Sequence, residues 1–128
     1  MGKFVLKRTA AGFHFVLEAD NGEIILVSEL YTTKCACQNG IESVRANAMA
    51  AKVEDQTSES FTPLMHPKYE IFMDKAGEYR FRLKAKNGEP IGVSEGYTQK
   101  ASCKEGVESI RRLGPWAQVE FVAESKVR

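Results

Sequence analysis

Apolar and polar residues alternate along two matching stretches of the chain. Phe13, Phe15, Leu17 and Ala19 alternate with His14, Val16, Glu18 and Asp20, and Tyr79, Phe81, Leu83 and Ala85 alternate with Arg80, Arg82, Lys84 and Lys86. A period of two predicts a strand with one face on a core and one in water. Each stretch is preceded by a shorter alternation. Phe4 and Leu6 alternate with Val5 and Lys7, and Tyr69, Ile71 and Met73 with Glu70, Phe72 and Asp74. Turns at residues 9–12 and 74–77 separate the members of each pair. Asn21-Gly22 and Asn87-Gly88 predict two-residue hairpin turns at positive φ. A third strand follows at residues 23–28 and 89–94, where Pro90 suits a strand start or an edge.

The period then changes. Cys37, Ile41, Val44 and Ala48 fall on one helical stripe, as do Cys103, Val107, Ile110 and Leu113. Thr32 or Thr33 in one copy and Thr98 in the other are plausible N-caps. Glu42 and Arg45, like Glu108 and Arg111, stand three apart on the outer side and can pair weakly. Gly40 and Gly106 sit mid-helix, where glycine costs about 1 kcal/mol against alanine. Their duplication predicts a close approach of each helix to the sheet. Gly114-Pro115 predicts an abrupt end to the second helix; the first has no such stop and is expected to fray through residues 47–51. A last strand is expected at residues 117–123, with a weaker counterpart at residues 51–55.

Each copy therefore reads β-β-β-α-β. Residues 21–48 match residues 87–114 at 15 of 28 positions, which implies duplication. The repeats span about residues 2–55 and 68–124, joined by a polar linker at about residues 56–67 that carries Pro63 and Pro67. A half of this size buries only about 60% of its unfolded surface. The expected architecture is thus α+β: two tandem repeats forming a single antiparallel sheet, with two helices packed on one face. The pairs Phe15/Phe81, Leu17/Leu83, Ile41/Val107 and Val44/Ile110 are expected at its core.

Composition bounds the chemistry. A formal net charge of +1 supplies no global field toward nucleic acid or an anionic membrane. No apolar run approaches the ~20 residues of a membrane span, and the apolar stretch near the first residues is too short for a signal peptide. Three cysteines argue against a disulfide framework and for a reduced, cytoplasmic protein.

Three sets of residues recur: Asn-Gly-Glu before the third strand, Ser-Glu-x-Tyr-Thr-x-Lys leading into the helix, and Gly-[Ile/Val]-Glu-Ser-[Val/Ile]-Arg within it. Present in both copies, they cover nearly the whole chain, and the chain resembles the YegP-like family of small bacterial proteins of uncharacterised function. The resemblance implies a tandem of β-β-β-α-β units in one sheet, with the final strands exchanged between units. It also implies that single-copy members form the same object as a homodimer, so that this chain is a monomeric pseudo-dimer. It brings no reaction, cofactor or catalytic residue.

Candidate chemistry is sparse. Cys35-x-Cys37 could supply half of a metal site, but no second Cys/His pair supports it, and Cys37 and Cys103 sit where a thiol packs as a small hydrophobe. Ser28, Ser43, Ser94 and Ser109 lie in no nucleophile elbow. His14 and His66 stand in unlike settings. No phosphate-cradling loop is present. Ser28, Glu29, Tyr31 and Lys34, repeated as Ser94, Glu95, Tyr97 and Lys100, gather polar groups where a strand meets a helix N-terminus, a place that suits an anion. The competing reading has Glu and Lys paired with each other and Tyr packed across the corner. Arg80, Arg82, Lys84 and Lys86 form a basic stripe that could meet a phosphate backbone. Glu70 and Asp74 stand beside it and can take up its charge. The favoured function is a non-enzymatic cytosolic binding or structural module with no catalytic, cofactor or metal residues and an unknown partner. The alternatives are weak nucleic-acid binding through the basic stripe and thiol chemistry at Cys35.

Overall fold

The computed structural model describes residues 2–122. The first repeat gives β1 (Lys3–Thr9), β2 (Gly12–Glu18), β3 (Ile24–Ser28), α1 (Lys34–Asn47) and β4 (Lys52–Asp55). The second gives β5 (Lys68–Met73), β6 (Tyr79–Lys84), β7 (Pro90–Val93), α2 (Lys100–Leu113) and β8 (Gln118–Val122). The strands make one eight-stranded sheet in the order β4-β5-β6-β7-β3-β2-β1-β8. The expected strand exchange is present: β4 of the first repeat lies beside β5 of the second, and β8 of the second lies beside β1 of the first. Residues 123 and 124, expected to close the last strand and the second repeat, lie outside the described residues.

The six central strands pair antiparallel, as the alternation predicts, but the sheet is mixed. Both exchanged strands pair parallel, Lys52 opposite Lys68 and Lys3 opposite Gln118. The helix before each exchanged strand carries the chain back along the sheet, so the strand re-enters in the direction of its new neighbour.

The registers align the apolar positions in continuous rows on one face. One row runs Ser28, Gly92, Leu83 and Tyr69 across four strands, and the Ser28 side chain joins it to Phe15 and Leu6 of the other two. Phe4, Leu17, Leu26, Phe81 and Ile71 join the same core, and the stripes of both helices close over it as a single cluster. Each of these large side chains contributes roughly 1.5–3 kcal/mol on full burial. The opposite face carries the row Glu54, Glu70, Arg82, Val93, Val27, Val16, Val5 and Glu120.

Several local expectations are corrected. The hairpins at Asn21-Gly22 and Asn87-Gly88 are three-residue connections. Gly22 and Gly88 donate to the Ala19 and Ala85 carbonyls, and Ala19 and Ala85 donate to the Glu23 and Glu89 carbonyls just past the last ladder pairs, Glu18–Ile24 and Lys84–Pro90. Only the glycines take positive φ, 86° and 85°. Each asparagine instead accepts from the amide two residues on, at 2.9 and 3.0 Å, a side-chain turn that leaves its backbone on the negative side. Thr33 caps α1, accepting from the Ala36 amide at 3.0 Å. At the equivalent place α2 has Gln99, which makes no side-chain cap, and Thr98 stands one residue too early. The first helix ends at Asn47 just as the second ends at Leu113, so the proline is not what sets the length.

Duplicated side chains hold the exchanged strands. Arg45 Nη2 on α1 donates to the Ala117 carbonyl at 2.8 Å, just before β8. Arg111 Nη2 on α2 donates to the Ala51 carbonyl at 2.6 Å, just before β4. Their guanidinium groups lie over Phe4 and Tyr69, 5.5 and 5.4 Å from the ring centroids. The weak helical pairs with Glu42 and Glu108 are present too, at 3.5 and 2.6 Å, but they steer an arginine whose main contact lies in the other repeat. Tyr69 adds a hydroxyl bond to the Ala48 carbonyl at 2.7 Å. Replacing Arg111 by Ala is expected to cost about 1.5–3 kcal/mol, the range for a hydrogen bond from a charged group. Lysine, lacking the planar fork, recovers less than half. Urea unfolding measures both; a loss under about 0.5 kcal/mol, ordinary for a surface change, would show that the arginine holds nothing.

Candidate functional site

The polar corner forms at each strand-to-helix junction, but its members do not converge. Ser28 Oγ accepts from the Phe15 amide at 2.8 Å and donates to the Glu29 carbonyl at 2.7 Å. Ser94 Oγ repeats this with the Phe81 amide at 3.0 Å and the Glu95 carbonyl at 2.8 Å. Each serine extends a ladder that the strand backbone cannot complete. Tyr31 and Tyr97 bridge back to Phe13 and Tyr79 through their own backbones. Burial raises both phenols above their usual pKa.

The tyrosine rings explain the mid-helix glycines. A Cβ on Gly106 would stand 2.6 Å from the Tyr97 hydroxyl and 3.1 Å from the Phe81 ring; at Gly40 the neighbours are Tyr31 and Phe15. The close approach is therefore to a tyrosine laid between sheet and helix.

The lysines leave the corner altogether. Lys34 Nζ stands 4.1 Å from the centroid of the Phe121 ring on β8. Lys100 Nζ pairs with Asp55 on β4 at 2.8 Å, and this bond raises the lysine pKa. No Glu29–Lys34 or Glu95–Lys100 pair is formed; each lysine reaches the exchanged strand from the other repeat. No signal within one copy could have shown that destination.

The basic stripe is largely neutralised in place. Arg80 pairs with Asp74 at 2.7 Å and donates to the Ser94 carbonyl at 3.1 Å. Arg80 is the main reason the Asp74 carboxyl lies below its ordinary pKa. Arg82 pairs with Glu70 at 2.9 Å and covers Phe72 at 3.9 Å. Lys84 reaches Glu70 at 3.7 Å. Lys86 is exposed, past the end of β6.

A buried ion pair stands at the end of the stripe that sequence reasoning missed. Lys68 bonds Glu54 at 2.7 Å and Glu70 at 3.3 Å, with side chains 8%, 1% and 8% exposed. Gln56 Nε2 and the Leu64 amide donate to Glu54 as well, at 2.6 and 2.7 Å. Burial alone would raise the Glu54 pKa, but the bonds from Lys68, Gln56 and Leu64 outweigh it and hold the carboxyl at about 2. The partners belong to different repeats, and only the parallel exchange brings them side by side.

The thiols divide cleanly. Cys35 and Cys37 are two residues apart on α1, roughly 200° around the helix, so one is exposed and the other buried and they do not face one site. Burial raises Cys37 and Cys103 to about 11, keeping both protonated near neutrality. His14 is half-buried opposite Lys7, with a pKa lowered first by burial and then by that lysine. Among the described residues no three His, Cys, Asp or Glu side chains group as metal ligands, and no helix is long and apolar enough to cross a membrane.

Known proteins match nearly the whole chain. The family model described as a domain of unknown function, DUF1508, matches residues 9–55 and again 74–120. A UPF0339 protein of Photorhabdus laumondii is 38% identical over 127 residues, covering 98% of each chain. A UPF0339 protein of Pseudomonas aeruginosa is 41% identical over 116 residues, covering 90% of this chain and 92% of its own. The solution structure of YegP from Escherichia coli, a protein of unknown function, superposes with a TM-score of 0.79 at 34% identity, covering 98% of this chain and 96% of its own.

Two outcomes test these contacts. Gly106→Ala is expected to lower stability, because overpacking costs about 1–3 kcal/mol against about 1 kcal/mol regained in helix propensity. Tyr97→Phe in the same chain should then recover stability by removing the clashing hydroxyl; no recovery in urea unfolding would contradict this packing of tyrosine against glycine. Glu54 makes a pH test. Its folded pKa is depressed from 4.5 to about 2, so the folded state binds fewer protons in acid. Its contribution is complete above pH about 4.5 and is lost as pH falls toward about 2. Urea midpoints across that window should fall less steeply for Glu54→Gln than for the wild type; parallel curves would contradict the assignment.

Proposed function

The chain belongs to the DUF1508 family, among the UPF0339 proteins that include YegP, and from that membership we propose that it works as a non-enzymatic binding module. One observation supports this most directly. Three pairs of polar side chains that recur in both repeats are engaged in holding the chain together: Ser28 and Ser94 on backbone amides, Arg45 and Arg111 on the carbonyls before the exchanged strands, Lys34 and Lys100 on those strands. Each serine hydroxyl donates its proton to a backbone carbonyl and accepts from a backbone amide, so no base stands beside it to activate it as a nucleophile. What distinguishes such a protein to a partner is surface that differs between the halves. We place it in the cytoplasm as a monomer: the two thiols in its core are buried as free cysteines, and the pairings of a two-chain assembly are already made within one chain.

The test is a screen of the purified protein for hydrolase, phosphotransfer and thiol–disulfide turnover, run alongside Cys35→Ala, Tyr31→Phe and Tyr97→Phe. No turnover that depends on any of these side chains is expected. Turnover abolished by one of them, in a variant that remains folded, would overturn the proposal.

A further inference from the structure

The two outer edges of the sheet descend from the same repeat yet are finished differently. On β4, Lys52 is exposed, Glu54 is buried beneath Lys68, Gln56 and Leu64, and Asp55 is held by Lys100. Charges of this kind blunt an edge against further pairing. The equivalent positions on β8 are Gln118, Glu120 and Phe121, followed by Val122 where the first repeat has Gln56. All five residues of β8 are exposed. Val119, Phe121 and Val122 are 44%, 45% and 40% accessible, and Trp116 in the turn before them is 69% accessible. Among the described residues no strand lies on the outer side of β8. Its one opposite charge pair, Lys3 to Glu120 at 2.9 Å, faces inward to β1.

Resting on the binding-module proposal above, we infer that the outer edge of β8 accepts one extended peptide segment of a partner protein as a ninth strand. The size of the edge selects this occupant. Five residues span about 17 Å of strand, whereas a stable interface between two folded proteins takes about 800 Å² from each. A single strand needs only the open backbone groups and places for alternate side chains. Both are present. Val119 and Phe121, opposite Phe4 and Leu6 in register, continue the apolar rows of the helix-covered face to the rim. A surface hollow of about 490 Å³ opens at the start of the strand, with Trp116 and Val119 as apolar walls and Gly2, Lys3, Gln118 and Glu120 on its border. The segment that fits carries apolar residues at alternate positions, one of them large enough to fill the hollow beside Trp116. Small polar or basic residues lie between them, facing Gln118 and Glu120.

Selection of random dodecapeptides displayed on phage against the full chain tests this, with a Val119→Lys, Phe121→Lys double variant as comparison. Enriched peptides should alternate apolar and polar residues and bind the variant at least about tenfold more weakly. They should also shift the emission of Trp116, the only tryptophan, to the blue. Should the double variant unfold, the emission of the wild-type chain decides alone. No enrichment, or binding that leaves the emission unmoved, would overturn the site. So would sedimentation showing that the chain pairs with itself through β8, since a second copy would then be the occupant. Failure of the selection leaves the binding module standing; turnover in the screen above removes the module whether or not peptides bind.

Discussion

Two arginines facing two carbonyls in the opposite repeat are the contacts on which the architecture depends. A strand that crosses to a neighbouring unit ends far from the helix it left, and the junction exposes a backbone carbonyl that no ladder satisfies. Arg45 covers Ala117 and Arg111 covers Ala51, so each helix closes the junction of the other repeat. The first-strand lysines act in parallel, Lys3 on Glu120 and Lys68 on Glu54, and the lysines opening the helices reach Phe121 and Asp55. All three contacts appear twice, related by the duplication, and all run between repeats. Neither half completes its own edge or its own core, and the two repeats share one sheet and one core cluster.

The same contacts have diverged in setting. Lys3–Glu120 is half in water, whereas Lys68–Glu54 is buried under the segment that links the repeats. Removing Lys68 leaves the buried Glu54 without its cation, at a cost of about 3–5 kcal/mol, while the exposed pair contributes little. On the face away from the helices the first repeat places Val5 and Val16 where the second places Glu70 and Arg82. Duplication fixed the frame; the halves differ on the outer face and at the sheet edges. Those differences, rather than the shared motifs, are where recognition is to be sought.

Much of the frame is legible in the residues. The helical stripes ending at Ala48 and Leu113 and the paired glycines each follow from a local rule and are found in place; the alternation holds in β6, but in β2 Val16, on the face expected in water, is buried. The motif Gly-x-Glu-Ser-x-Arg announces that its arginine matters, since it recurs, yet says nothing of a carbonyl in the other copy. The parallel pairing of the outer strands follows from the exchange, which the family resemblance implies and the periodicity does not. The polar corner misleads for a related reason. Glu29 and Lys34 are close in sequence, and proximity suggests a pair, but Lys34 lies nearer a strand contributed from 87 positions away. Long-range partners set by topology leave no trace in a local pattern. The asparagine turns fail differently: Asn-Gly fits both a two-residue and a three-residue connection, and the side-chain bond to the second amide on decides between them.

Interlocking of the repeats is tested most directly by cutting between them. The linker is exposed from Ser58 to Pro63, and a protease site placed there can be cleaved in the folded protein. The two fragments are expected to stay together as one particle and to unfold in a single transition, at a denaturant concentration close to that of the uncut chain. Separation of the fragments into two independently folded pieces would contradict the interlocked fold.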